Sequence, residues 1–117
     1  MNLIPVSSLE TTLITSMTTR EVNQTLLMTM PDDTMAGELE LGVTIYVDTN
    51  HSKKLEDGIF AFNWDGYVMV KQLQFMNGCI RVVPNNHRYY SWEITKEDFH
   101  KLTIIGRVVA SQTIKAH

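Results

Sequence analysis

Two dipeptides, Asp65-Gly66 and Asn77-Gly78, constrain this chain more than any other feature, because each separates two runs of strand-forming residues. Asp-Gly and Asn-Gly favour two-residue hairpin turns, whose central positions take positive φ at little cost. The flanking runs 59–64, 67–75 and 79–83 are rich in Val, Ile, Tyr and Phe, so the stretch 59–83 predicts a meander of three antiparallel strands. Strand character also begins at "TLLMTM" near Thr25 and returns over 43–48 and 103–114. Helix is scarce. Asp32 or Asp33 could cap one turn across 34–41, and Thr95 followed by Glu97 and Asp98 could start another before Phe99. There is no internal repeat, and the connections are too short for alternating strand–helix units. The expected class is mostly β with at most two short helices.

A chain of 117 residues suffices for one domain with its own core. Residues 5–25 are rich in Ser and Thr with little apolar periodicity, so 1–25 reads as a linker-like segment and 26–117 as the ordered domain. A single cysteine, Cys79, excludes an internal disulfide, and no run of about 18 apolar residues is present to span a membrane. The N-terminus lacks the blocks of a signal peptide, which points to a reducing, cytoplasmic setting and makes the Asn23-Gln24-Thr25 sequon coincidental. The net charge of −3, with Lys53-Lys54 the one adjacent Lys/Arg pair, argues against a direct grip on nucleic acid.

Lys71 is the residue whose position most suggests chemistry. In a strand the side chains alternate, so Tyr67, Met69, Lys71, Leu73 and Phe75 share one face, and Val68, Val70, Gln72 and Gln74 the other. A lysine in an apolar row is desolvated, which can lower its pKa by up to about 3–5 units and yield a neutral amine able to accept a proton. The structural alternative is a lysine that snorkels to solvent from a sheet edge. Such a base needs a hydroxyl or thiol partner. Cys79 lies just past the Asn77-Gly78 turn, where a lone cysteine also serves as a small apolar filler. Thr34 heads the possible helical turn, where backbone N–H groups could hold an oxyanion, or where its hydroxyl could simply bond the backbone. His51, His87, His100 and His117 show no zinc-type spacing, and no Gly-rich phosphate loop occurs, so no metal or cofactor is expected. The methionines 17, 28, 30, 35, 69 and 76 suit gap-filling in a core or interface. Tyr89, Tyr90 and Trp92 mark either an aromatic-rich strand or a partner-binding surface.

These residues resemble the C-terminal domain of LexA-like proteins and phage repressors, the self-cleaving Ser-Lys peptidases that include the UmuD type. The family pattern Ser-Met-x-Pro-x-Leu-x-x-Gly-Asp, followed by an apolar strand ending in Val-Asp, is similar to Thr34-Met35-Ala36-Gly37-Glu38-Leu39-Glu40-Leu41-Gly42-Val43 followed by "TIYVD". Val-Lys-Arg-Leu resembles Val70-Lys71-Gln72-Leu73, Asp-Asn-x-x-Tyr resembles Asn85-Asn86-His87-Arg88-Tyr89, and Ile-Gly-Arg-Val-Val matches Ile105 to Val109. The likeness covers residues 26 to 114, and four motifs in order are more specific than any one.

The resemblance implies a β-clip type fold, a nucleophile at Thr34 and a buried, neutral base at Lys71. Threonine stands in place of the family's serine, Gly37 in place of proline and Val43 in place of aspartate, while residues 1–33 contain no Ala-Gly or Cys-Gly pair to be cut. The β-methyl adds bulk and restricts χ1 beside the base. The resulting expectation is a non-cleaving dimerisation and regulatory domain of a phage or prophage repressor. It would reach operator DNA only through a helix-turn-helix domain outside this chain. The alternatives are an active self-cleaving Thr/Ser-Lys peptidase, or a free-standing antirepressor or mutagenesis accessory protein. A homodimer, or a higher oligomer, is expected through Ile104, Ile105, Val108, Val109 and Ile114, because 104–114 is apolar on both faces. An antirepressor protein could anchor on Tyr89, Tyr90 and Trp92.

Overall fold

A computed structural model describes residues 4–5, 24–50 and 55–113. Met17, His51, Lys53, Lys54, Ile114, His117 and most of the 1–25 segment lie outside them. The strands β1 (Ile4–Pro5), β2 (Thr25–Thr29), β3 (Thr44–Asp48), β4 (Gly58–Trp64), β5 (Tyr67–Met76), β6 (Cys79–Val83), β7 (Trp92–Thr95) and β8 (Leu102–Gln112) form one sheet. Its order is β1-β2-β3-β8-β4-β5-β6-β7, antiparallel throughout. The mostly β class is as expected. No helix among the described residues is long and apolar enough to cross a membrane.

The predicted meander is β4-β5-β6. At the first turn Trp64 pairs with Tyr67, and both central residues are left-handed, Asp65 at φ 49° and Gly66 at φ 91°. At the second, Met76 pairs with Cys79 and Gly78 has φ 88°, but Asn77 is not left-handed, so one residue carries the reversal instead of two. The expected second helix exists as a 3-10 turn over Lys96–Lys101. The first does not form. Residues 34–41 make successive tight turns, with Ala36 N–H on the Asp33 carbonyl and Leu39 N–H on that of Met35, and Gly37 at φ 97° interrupts any helical continuation.

Both faces of the sheet are buried, although no long helix among the described residues covers either. Ala61 of β4 and Val70 of β5 pack with Ile45 and Val47 of β3 and with Met30, Met35 and Leu39 of the β2–β3 connection. On the opposite face Phe60, Phe62 and Leu73 pack with Val82 of β6 and Ile94 of β7. Each end of the sheet therefore curls over a different face, which makes one sheet serve as its own second layer. Bulges permit this coiling. Along β8, Ile105 has no opposite number on β4 and Val109 none on β3. Between these bulges Gly106 lies so close to β3 that a Cβ would stand 2.3 Å from the Asp48 carbonyl oxygen.

The β2–β3 connection leaves and re-enters the sheet through a closed neck, where Met30 N–H bonds the Val43 carbonyl and Gly42 N–H bonds the Met30 carbonyl. Its apolar residues, Met35 and Leu39, are buried in the core. The loop is thus fixed against the sheet at both base and tip.

Candidate functional site

Thr34 stands at the tip of this loop and Lys71 in the middle of β5, and the fold brings them into contact. Lys71 Nζ lies 3.0 Å from Thr34 Oγ1, and both residues are buried at 7% exposure. Lys71 keeps the face predicted from alternation: it stands opposite Phe60 of β4, and its row neighbours Met69 and Leu73 belong to the second apolar cluster. It is a core lysine and does not snorkel. Burial, the dominant influence, lowers its pKa below the ordinary 10.5, and the Asp32 carboxylate partly offsets this.

Asp32 completes the site. Its Oδ1 accepts the Thr34 hydroxyl at 2.6 Å and the Thr34 backbone N–H at 3.1 Å. Its Oδ2 lies 3.8 Å from Lys71 Nζ, with the carboxylate 40% exposed. A hydroxyl owns one proton, and an ionised carboxylate can only accept. In this arrangement the Thr34 proton therefore goes to Asp32, and Lys71 donates to the hydroxyl oxygen. A general base requires the reverse, with the hydroxyl donating to the amine.

The connection between β6 and β7 clamps the loop tip. The backbone N–H groups of Asn85 and Asn86 both donate to the Thr34 carbonyl, at 3.0 and 2.9 Å. The Asn85 amide donates to the Ala36 carbonyl at 2.8 Å and the Asn86 amide to the Asp33 carbonyl at 2.9 Å. Tyr89 Oη donates to Asp33 Oδ1, and that bond raises the phenol's pKa. The space for this clamp is tight: a Cβ on Gly37 would approach the Asn85 amide nitrogen to 2.8 Å.

The remaining predicted residues are scattered. Cys79 is half-buried at the β5–β6 turn, opposite Met76, about 17 Å along β5 from Lys71 at 3.4 Å per residue. Trp92 packs on Trp64 in the second cluster, Tyr90 is 90% exposed, and Tyr89 belongs to the clamp. Of the apolar β8 residues, Ile104 packs in the second cluster, Ile105 and Val108 both in the first, and Val109 is 56% exposed. Simple alternation would put Ile105 and Val108 on opposite faces; the bulges change that. No group of His, Cys, Asp or Glu among the described residues is arranged to hold a metal ion. Asp32 is the functional neighbour that sequence reading missed, since it entered only as a possible cap. The available signal was its placement two residues before a threonine, where an Asp side chain bonds the backbone two residues on.

Comparison with known proteins identifies the family. The family model described as Peptidase S24-like matches residues 5–109. A 26 kDa repressor protein of Escherichia phage HK022 is 30% identical over 88 residues, 75% of this chain. The match spans 37% of that repressor's own length.

Proposed function

The chain belongs to the Peptidase S24-like family, and from that premise we propose that it is the dimerisation and regulatory domain of a phage or prophage repressor whose Thr34–Lys71 site does not cut its own chain. The observation that carries the second half is the direction of one proton. Thr34 donates to Asp32 at 2.6 Å, so the hydroxyl is not poised to donate to Lys71. The β-methyl of threonine, which restricts χ1 beside the base, supports the same conclusion. In the first half, pairing two such domains would bring two DNA-binding heads together and make the second operator contact nearly intramolecular. Induction would then proceed by a protein partner that favours the released state, with Tyr90 and its neighbours as the anchor.

A second reading has its own support. The 3.0 Å Lys71–Thr34 contact and the lowered lysine pKa are what a threonine-type self-cleaving peptidase requires. Incubating the full-length repressor at alkaline pH, or with activated recombinase filament, and measuring intact mass separates the two. The proposed function expects no change in mass. A time-dependent pair of fragments that vanishes in Lys71→Ala establishes the second reading.

A further inference from the structure

Asp32 touches both members of the Thr34–Lys71 pair, and it touches them in the one way that keeps them from reacting with each other. We propose that Asp32 is a positioning residue that latches the pair at rest: its carboxylate draws the Thr34 hydroxyl proton away from Lys71 and holds the lysine as an ammonium, so that loss of the carboxylate arms Thr34 as a nucleophile. This deepens the non-cleaving reading by naming what restrains the site.

The geometry leaves few other roles for the groups involved. The hydroxyl cannot donate to Asp32 Oδ1 at 2.6 Å and to Lys71 Nζ at 3.0 Å at once. The second carboxylate oxygen, 3.8 Å from Nζ, favours the charged amine, which has no lone pair with which to take a proton. The other groups around Lys71 do not compete with this. Phe60 faces it from β4 and carries Arg107 stacked on its ring, while Asp33 of the β2–β3 loop and Tyr89 of the clamp are bonded to each other. Burial of Lys71 favours the neutral amine, so the carboxylate is the group that opposes it.

Asp32 also accepts the Thr34 backbone N–H, a turn-forming role that would hold even if no chemistry existed. Asp32→Asn isolates the charge: its amide oxygen can still accept from the Thr34 backbone N–H and, more weakly, from the hydroxyl, while the carboxylate that favours the ammonium is gone. Asp32→Ser keeps a cap by another route if the asparagine variant does not fold.

The test is made on this chain with two readings. The first is an NMR titration of the Lys71 side chain. The second is labelling by a fluorophosphonate, in which Thr34 Oγ forms a bond to phosphorus, fluoride leaves, and Lys71 Nζ takes the hydroxyl proton. In Asp32→Asn the Lys71 midpoint is expected to fall by about one pH unit, a tenfold change in amine-to-ammonium ratio. Labelling of Thr34 at pH 8, located by mass, is expected to rise about tenfold and to disappear in Asp32→Asn combined with Lys71→Met. An unchanged or raised Lys71 midpoint, or labelling that stays the same or falls, overturns the latch and leaves Asp32 as a turn cap. Neither reading depends on self-cleavage or dimerisation. Fragments from the unaltered repressor would sink the non-cleaving reading, whereas an unmoved Lys71 titration would sink the latch alone.

Discussion

Replacing Lys71 with methionine should stabilise this domain at neutral pH, because the lysine is held where an uncharged side chain of similar reach would fit better. The net lowering of its pKa means that the desolvation penalty exceeds the attraction of Asp32. Two unit charges 3.8 Å apart attract by about 1 kcal/mol in a water-like medium and about 4 kcal/mol at an effective dielectric of 20. Asp32 is 40% exposed, so solvent screening places the attraction near the lower end, about 1–2 kcal/mol. The penalty must be larger than this. Methionine removes both, along with the Lys71–Thr34 hydrogen bond, while Thr34 keeps its donor bond to Asp32, leaving a net gain of at most about 1 kcal/mol at pH 7. That corresponds to a rise in Tm of at most about 4 °C. The pH dependence supplies the diagnostic. A lysine with a lowered pKa releases its proton in the folded state while the unfolded chain still binds one, so its contribution to stability rises with pH from the folded pKa to about 10.4. The advantage of Lys71→Met should therefore shrink as pH climbs through that window. Tyr89 acts in the opposite sense, since its raised pKa loses stability above about pH 10, but it is common to both proteins and cancels. Urea denaturation followed by Trp64 and Trp92 fluorescence at fixed protein concentration, from pH 6 to 10, measures the difference. A loss of 2 kcal/mol or more at pH 7 (roughly the cost of deleting a well-made charged hydrogen bond), or a difference that does not vary with pH, would refute the reasoning.

Three other perturbations test separate parts of the structure. Gly106→Ala puts a methyl 2.3 Å from the Asp48 carbonyl oxygen and should cost about 3 kcal/mol; a urea midpoint within experimental error of the parent would show that β3 and β8 do not meet as described. Asn86→Ala removes the amide that holds the Asp33 carbonyl at 2.9 Å, and should cost about 1 kcal/mol while speeding amide exchange at Thr34 to Ala36. Exchange unaltered in that stretch would mean that the clamp is set by the backbone alone. Val109→Asp, at a site 56% exposed on a bulge of β8, should turn the expected dimer into monomer in light scattering without lowering the monomer's own stability; an intact dimer would move the interface elsewhere.

The parts of the fold visible in the sequence are those fixed by neighbouring residues. Strands β4, β5 and β6 and the left-handed Asp65-Gly66 turn follow from local alternation and turn chemistry, and so does the face on which Lys71 lies. The bulges at Ile105 and Val109 were not legible, because a bulge reflects the register of two different partner strands and leaves no local mark on an all-apolar run. For the same reason the division of β8 residues between the two cores departs from simple alternation. The missing helix over 34–41 is a case of a local signal losing to a nonlocal one. Asp32 does bond the Thr34 N–H as a cap would, but the closed neck at Met30 and Val43 and the clamp from Asn85 and Asn86 bend the segment back within a few residues. The Thr34–Lys71 contact itself joins residues 37 apart through that nonlocal architecture, and only the family pattern placed the two together in advance.

That pattern mixes two kinds of information, and the structure separates them. Met35 and Leu39, which make the Thr34-Met35 to Gly42 stretch recognisable, are 1% and 5% exposed and fill the core with Ile45, Val47, Ala61 and Val70. Truncating either would open a cavity costing about 2–5 kcal/mol, so the fold requires them whether or not Thr34 ever reacts. Gly42, at φ 87°, closes the neck of the loop and answers to backbone geometry in the same way. Neither packing nor turn geometry explains Lys71, because an apolar residue would serve the core better. The chemical content of the motif therefore reduces to the amine and the hydroxyl, together with whatever sets the proton between them. Here that is the Asp32 carboxylate, 2.6 Å from one and 3.8 Å from the other. A chain can thus carry most of a peptidase pattern as a consequence of folding, and on the proposal above its reactivity would turn on one side chain two positions before Thr34.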